Sequence, residues 1–291
     1  MTVKSKLISE IETLPPKYLQ EIMKFIEYLK FKQNKVITEN NYPILEFDPD
    51  RDALIRPERL IKPLDISQRA VFCFFEDAIE KVLAEFPHKI IAHLKGEGLT
   101  FPVYELEYKD QKINLAQAIV GAPLAAGHIE EMTAYGCRKY IACGGCGVLQ
   151  DDIAVGHLII PAYAVRDEGT SYHYVPPSRE MSMSKHAIET IEDVLNQRNV
   201  PYIKGKTWTT DAFFRETPAK IARRKEEGCI AVDMEASAFM AVAQYNNVEF
   251  GQILYAGDSL GGDEWDNRDW TKRTDIREFV LKLALDICLK L

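Results

Sequence analysis

The chain has 291 residues, 46% of them hydrophobic, and a formal net charge of −8. That is enough apolar material for a sizeable core, in one large domain or two small ones, and the acidic balance argues against a nucleic-acid partner. No apolar run is long enough to span a bilayer. The N-terminus leads into an amphipathic helix and not a signal-peptide core. The six scattered cysteines read as reduced thiols of a cytoplasmic protein and not as a disulfide framework.

Residues 1–35 read as a small helical hairpin. Leu7, Ile8 and Ile11 mark a first helix. Leu14-Pro15-Pro16 interrupts it, because proline cannot continue a helix interior, and Pro16 can open the next. Leu19, Ile22, Phe25, Ile26 and Leu29 then recur at helical spacing. Two short helices bury too little surface alone, so this stripe needs a second surface, on the main domain or on another subunit. Residues 36–69 carry Pro43, Pro49, Pro57 and Pro63 and read as an irregular, surface-wrapping linker.

From residue 70 to 291, strand and helix signals alternate. Residues 70–75 form an apolar run suited to a buried strand. Ile79, Val82, Leu83 and Phe86 mark a helix. Strands are predicted near residues 89–93, 103–108 and 113–120, with a hairpin turn at Lys109-Asp110-Gln111-Lys112. Gly121-Ala122-Pro123 opens a helix that runs to Tyr135, and Gly136 ends it. A strand at 139–143 leads into Gly144-Gly145-Cys146-Gly147, where so many glycines suggest a tight turn. Strands follow at 157–162, 202–206, 229–233 and 250–255. The helices between them cover 184–198, capped by Ser182 or Ser184, and a segment near 218–227. A last helix begins near Thr274. The expected fold class is α/β: three layers, a central mixed twisted sheet with helices on both faces, plus the N-terminal hairpin.

Chemistry concentrates where loops leave the C-terminal ends of strands, as open α/β sheets require. These loops are 144–147, Thr209-Thr210-Asp211, Asp233-Met234-Glu235 and Gly257-Asp258-Ser259. Asp233 and Glu235 stand at a strand-to-helix junction. A carboxylate there either satisfies the helix N-terminus or accepts two charge-assisted hydrogen bonds from a sugar diol. Cys143 and Cys146 form a C-x-x-C, but zinc wants four ligands, and small residues packing at a crowded turn is the simpler account. The histidines show no metal-ligand spacing, so no metal and no organic cofactor is expected. The run from Asp263 to Trp270 is too aromatic for a merely solvated charged face.

Several pieces in order, taken together, resemble a known family. They are Gly121-Ala122-Pro123 with Glu130-Glu131, Gly144-Gly145-Cys146-Gly147, Asp167-Glu168-Gly169-Thr170-Ser171, Asp211-Ala212-Phe213-Phe214, Val232-Asp233-Met234-Glu235-Ala236 and Gly257-Asp258-Ser259. From residue 70 onward the chain resembles the nucleoside phosphorylases of the uridine phosphorylase and hexameric purine nucleoside phosphorylase type. The N-terminal hairpin resembles a small antitoxin-like module. The resemblance implies that Glu235, with Met234 beneath the sugar and Asp233 beside it, binds the ribose. Phe213 falls beside the base, and Asp258 is the catalytic residue that assists the leaving base. Asp211 is grouped with the base site, and the run from Asp263 to Trp270 reads as a lid over the base, with Arg268 pairing Asp258, or equally as a docked surface loop. An aspartate at position 258 favours purines over pyrimidines.

The pattern also departs from the family. Phosphate-using relatives carry Gly-Asp-Pro-x-Arg after the first strand, where this chain has Phe74-Phe75-Glu76-Asp77-Ala78. Ala142 stands where a second arginine belongs, and Gly145 where a hydroxyl contacts the anion. Arginine is the residue of choice for bidentate phosphate contacts, so the anion or nucleophile site falls to the backbone at Gly144 and Gly145, or to Arg166 and Glu168. Arg179 and a neighbouring subunit are further sources of a cation. Glu131, Glu168 and Asp233 are the possible activators of a water.

The expectation is therefore a cytoplasmic enzyme that cleaves the N-glycosidic bond of a nucleoside and forms a homo-oligomer, dimer or hexamer. Inorganic phosphate is its possible co-substrate. A phosphate-independent nucleosidase and a non-catalytic nucleoside-sensing or interaction protein stand as the alternatives.

Overall fold

The computed structural model describes residues 3–15, 18, 19, 21–23, 25, 26, 29, 37–96 and 99–291. Contacts divide the chain into two units, Met1–Leu54 and Ile55–Leu291. In the first, helix α1 spans Val3–Glu12. Tyr18, Leu19, Glu21, Ile22, Met23, Phe25, Ile26 and Leu29 are also helical, while Pro16 and the remaining positions of the expected second helix lie outside the described residues. Where irregular chain is expected, Pro43 opens a 3-10 turn, Pro43–Leu45, and Pro57 opens a one-turn helix of the second unit, α2 (Pro57–Leu60). The fixed φ of proline suits a first helical position even though it bars interior ones.

The second unit is a mixed sheet with helices. Its strands are β1 (Arg69–Cys73), β2 (His88–Gly96), β3 (Leu99–Tyr108), β4 (Gln111–Gln117) and β5 (Lys139–Val148). They are followed by β6 (Leu158–Asp167), β7 (Glu180–Ser182), β8 (Tyr202–Thr210), β9 (Cys229–Asp233) and β10 (Glu249–Ser259). The helices are α3 (Glu76–Glu85), α4 (Ala122–Tyr135), α5 (Lys185–Gln197), α6 (Pro218–Glu226), α7 (Ala236–Asn246) and α8 (Thr274–Lys290). Helices α3 and α5 pack on α8, which lies against β1, β5 and β10. Helices α4 and α7 pack together, with α7 against β6, β8 and β10. Among the described residues, no helix is long and apolar enough to cross a membrane.

Local chemistry explains most of these elements. Ala70, Val71, Phe72 and Cys73 of β1 are buried, as a strand parallel to both neighbours, β4 and β5, should be. Lys109 and Asp110 carry the positive φ angles that a two-residue hairpin between β3 and β4 demands. The Ser184 hydroxyl accepts from Ala187 N at 3.0 Å and caps α5. Gly136, at φ 133°, ends α4 by donating to the Met132 and Thr133 carbonyls.

The pairing holds one surprise. Strand β10 pairs with both β5 and β6, and β9 pairs with both β5 and β8. With β6–β8 joined in parallel, β5, β10, β6, β8 and β9 close into a ring. Strands β1, β4, β3 and β2 extend the sheet from β5. The glycine run 144–147 is consequently strand and not a turn, because β5 continues through it to Val148. Glycine is required there for close approach and not for backbone freedom. A Cβ at Gly144 would meet Phe74 at 2.9 Å, and one at Gly147 would meet Leu260 at 2.8 Å and Val232 at 2.9 Å.

Gly147→Ala is therefore expected to cost ~1–3 kcal/mol by overpacking, since Val232 is β-branched and stiff. A lowered urea midpoint with an unchanged slope would register it.

Candidate active site

The ring brings the ends of β5, β9 and β10 together around a cavity of about 1160 Å³. Glu235, Met234, Asp233, Phe213, Gly145 and Asp258 all line it. The junction of β9 and α7 contributes two carboxyls with different employment. Asp233 Oδ1 accepts from the hydroxyls of Thr207 and Thr209, each at 3.0 Å. Its Oδ2 accepts from the backbone N–H groups of Glu235 at 2.9 Å and Ala236 at 2.6 Å. Asp233 is thus consumed by the fold: it caps α7 and ties that helix to β8. Glu235 is 6% exposed, and its Oε1 accepts from Gly121 N at 2.7 Å. Gly121 reaches that position at φ 110°, which a residue with a Cβ adopts only under strain. Burial, and then the neighbouring Asp233 charge, push the Glu235 carboxyl up to about 8.

Asp258, at the end of β10, also lines the cavity. Trp265 donates its indole N–H to Asp258 Oδ2 at 2.7 Å, and the missing side chain of Gly147 leaves room beside Oδ1. Phe213, 51% exposed, sits on a 3-10 turn, Phe213–Arg215, at the rim. Its ring lies 4.1 Å from that of Phe214.

The other expected site residues are engaged elsewhere. Arg268 does not pair with Asp258. It donates to the Ile153 carbonyl at 2.6 Å and approaches Asp266 at 3.4 Å. Asp211 accepts from Gly169 N at 2.8 Å and does not line the cavity. Arg166 is buried, donates to Ser171, Ser178 and the Pro176 carbonyl, and stacks on Tyr172 at 4.1 Å. Glu168 accepts from Thr170 N, Ser171 N, the Ser171 hydroxyl and the Ser237 hydroxyl. Both are pins that fix the loop after β6, because a buried charge must find its partners inside the protein. Gly144 faces Phe74 and stands outside the lining, whereas Gly145 is part of it. Among the described residues, no group of three or more His, Cys, Asp and Glu side chains is arranged to hold a metal ion. Cys143 and Cys146 are buried, and Cys146 also lines the cavity.

Sequence reasoning missed Phe74, Phe75, Asp77, Glu216 and Arg277, all of which line the cavity. Arg277 lies over the rings of Phe75 and Trp270, at 5.2 and 5.6 Å, with Asp77 Oδ1 at 3.4 Å. A cation inside the apolar stripe of α8 was the available signal. Glu216 gave none, since it follows no periodic pattern.

The raised Glu235 carboxyl has a stability consequence. A carboxyl whose folded pKa exceeds its unfolded value contributes stability fully below the unfolded value, about 4.3, and that contribution is lost as pH rises through about 8. Glu235→Gln, which stays neutral, is expected to lose less stability than wild type between pH 5 and pH 9, read by urea unfolding at both.

The family model of the phosphorylase superfamily matches residues 68–287. A guanosine phosphorylase of Halorubrum lacusprofundi is 24% identical over 201 residues, covering 67% of this chain and 83% of that protein. A DeoD-type purine nucleoside phosphorylase of Aliivibrio fischeri is 25% identical over 187 residues, covering 64% of this chain and 77% of that one. Among solved structures, a uridine phosphorylase from Vibrio fischeri superposes with a TM-score of 0.67 at 24% identity, over 78% of this chain and 93% of its own. An AMP nucleosidase from Bacteroides thetaiotaomicron superposes at 0.63 and 20% identity, over 77% and 87%. The chain belongs to the phosphorylase superfamily, the family of the nucleoside phosphorylases.

Proposed function

We propose that this protein cleaves the N-glycosidic bond of a nucleoside, with purines favoured, releasing the free base and a ribose or ribose phosphate. The observation that carries the reading is the convergence of Glu235, Met234 and Asp258 on one cavity. Glu235 accepts the ribose hydroxyls, Met234 packs against the sugar, and Phe213 flanks the base. As the C1′–N bond breaks, its electron pair leaves with the base and the sugar becomes oxocarbenium-like. Asp258, as a carboxylic acid, gives its proton to the departing purine at N7, and the nucleophile then closes on C1′. The purine-acting relatives support the choice of base. Assembly as a dimer or hexamer belongs to the same reading and is measured by light scattering.

The lining favours water over phosphate as the nucleophile. Glu76, Asp77, Glu216, Asp233, Glu235 and Asp258 bring six carboxyls, while Arg277 is the basic residue of the lining and already faces Asp77. Bidentate phosphate contacts call for free guanidinium groups, and the one in this lining is already engaged.

The test is base release from a panel of nucleosides with and without phosphate. Equal rates in its absence assign water; no release from any nucleoside overturns the reading. Asp258→Asn is expected to lower kcat roughly 10²- to 10⁴-fold, the usual worth of general acid help. Glu235→Ala is expected to abolish measurable turnover while a circular dichroism spectrum remains native, and unchanged turnover would refute the ribose assignment.

A further inference from the structure

Glu216 is a cavity residue that the mechanism leaves unused. It follows the 3-10 turn Phe213–Arg215, its own N–H donating to the Phe213 carbonyl at 3.4 Å. The next residue, Thr217, caps α6, and Pro218 opens that helix. Glu216 is therefore mounted between two fixed turns, on the same short segment as Phe213. Its carboxyl oxygens receive no hydrogen bond and no ion pair from the described residues, whereas Asp258 already holds the Trp265 indole on Oδ2. Glu216 is half-buried, and burial followed by the charge of Asp258 pushes its carboxyl up to about 7, with Lys220 opposing. An unpartnered carboxyl that feels Asp258 across a cavity has its hydrogen-bonding capacity available to a ligand.

We propose that Glu216 is a specificity-determining residue that reads the base together with Asp258, and that the pair selects a 6-aminopurine over a 6-oxopurine. This rests on the nucleoside-cleaving reading above. Asp258 meets N7 as the O–H donor of the mechanism above, and Glu216, which no described residue engages, is left to accept at the 6-position, so the pair presents one donor and one acceptor. The N7 edge of adenine offers the complement, an acceptor at N7 and a donor at the 6-amino group. The same edge of a 6-oxopurine offers two acceptors. The carboxylate would then face O6 with no hydrogen between them, and that loss is charged against the transition state.

The experiment compares kcat/KM for adenosine and inosine in wild type and Glu216→Gln. Wild type is expected to favour adenosine by about tenfold or more, the usual worth of one base-reading pair. Glutamine carries a donor that can meet O6, so the variant is expected to compress or reverse that ratio. A thermal melt checks that Glu216→Gln folds, and Glu216→Asp, which keeps the carboxyl, is expected to retain the adenosine preference. Wild-type preference for inosine, or an equal change for both substrates in Glu216→Gln, overturns the proposal while leaving nucleoside cleavage standing. Absence of base release from every nucleoside instead marks failure of the underlying reading.

Discussion

The four hydrogen bonds accepted by Asp233 hold the site's geometry. Two come from threonine hydroxyls on β8 and two from the first N–H groups of α7. One carboxylate therefore joins a strand to the helix that follows its neighbour. Because Asp233 is buried, each of those bonds replaces water that is no longer there, and leaving any of them unmade is costly. The consequence falls on Glu235, two residues on. Its backbone N–H is one of the four donors, so the start of its side chain is fixed beside the cavity. Gly121 completes the setting from the start of α4. The fold thus spends one acid on holding a second in place, and neither acid would serve without the other.

Closure of the ring works on the same scale. An open sheet would set the ends of β5, β9 and β10 side by side along one edge. Pairing β10 with both β5 and β6 wraps them round a common space. The glycines of β5 admit that closure, since side chains at 144 and 147 would strike Phe74, Val232 and Leu260. Trp265 and Trp270 then reach the space from the segment after β10, and Arg277 reaches it from α8. The cavity is built from segments separated by some two hundred residues, from Phe74 to Arg277.

Elements whose cause is local were legible in the sequence. The apolar run at 70–75, the Lys109-Asp110 turn, the Ser184 cap and Gly136 at the end of α4 each follow from a few adjacent residues. So does the placing of Asp233 and Glu235 at a strand-to-helix junction. What was misread shares one property: the reason for the residue lies in a contact that its local pattern does not show. The glycine run was taken as a turn because conformational freedom is the local reason for glycine, whereas crowding by Phe74 and Val232 is a distant one. Arg166 and Glu168 carry the right charges for an anion site, yet their partners in the loop of residues 170–178, and Ser237 beyond it, absorb them. Arg268 was matched to Asp258 by charge alone, while the backbone turns it to the Ile153 carbonyl.

The sequence by itself determined the α/β alternation, the family resemblance and the carboxyls at the ends of β9 and β10, because spacing and residue type are local quantities. Only the tertiary structure decided which of those carboxyls the protein's own hydrogen bonds occupy and which keep acceptor capacity toward the cavity. That choice depends on burial and on the hydrogen-bond donors within reach, and both are fixed when β5, β10, β6, β8 and β9 close on one another.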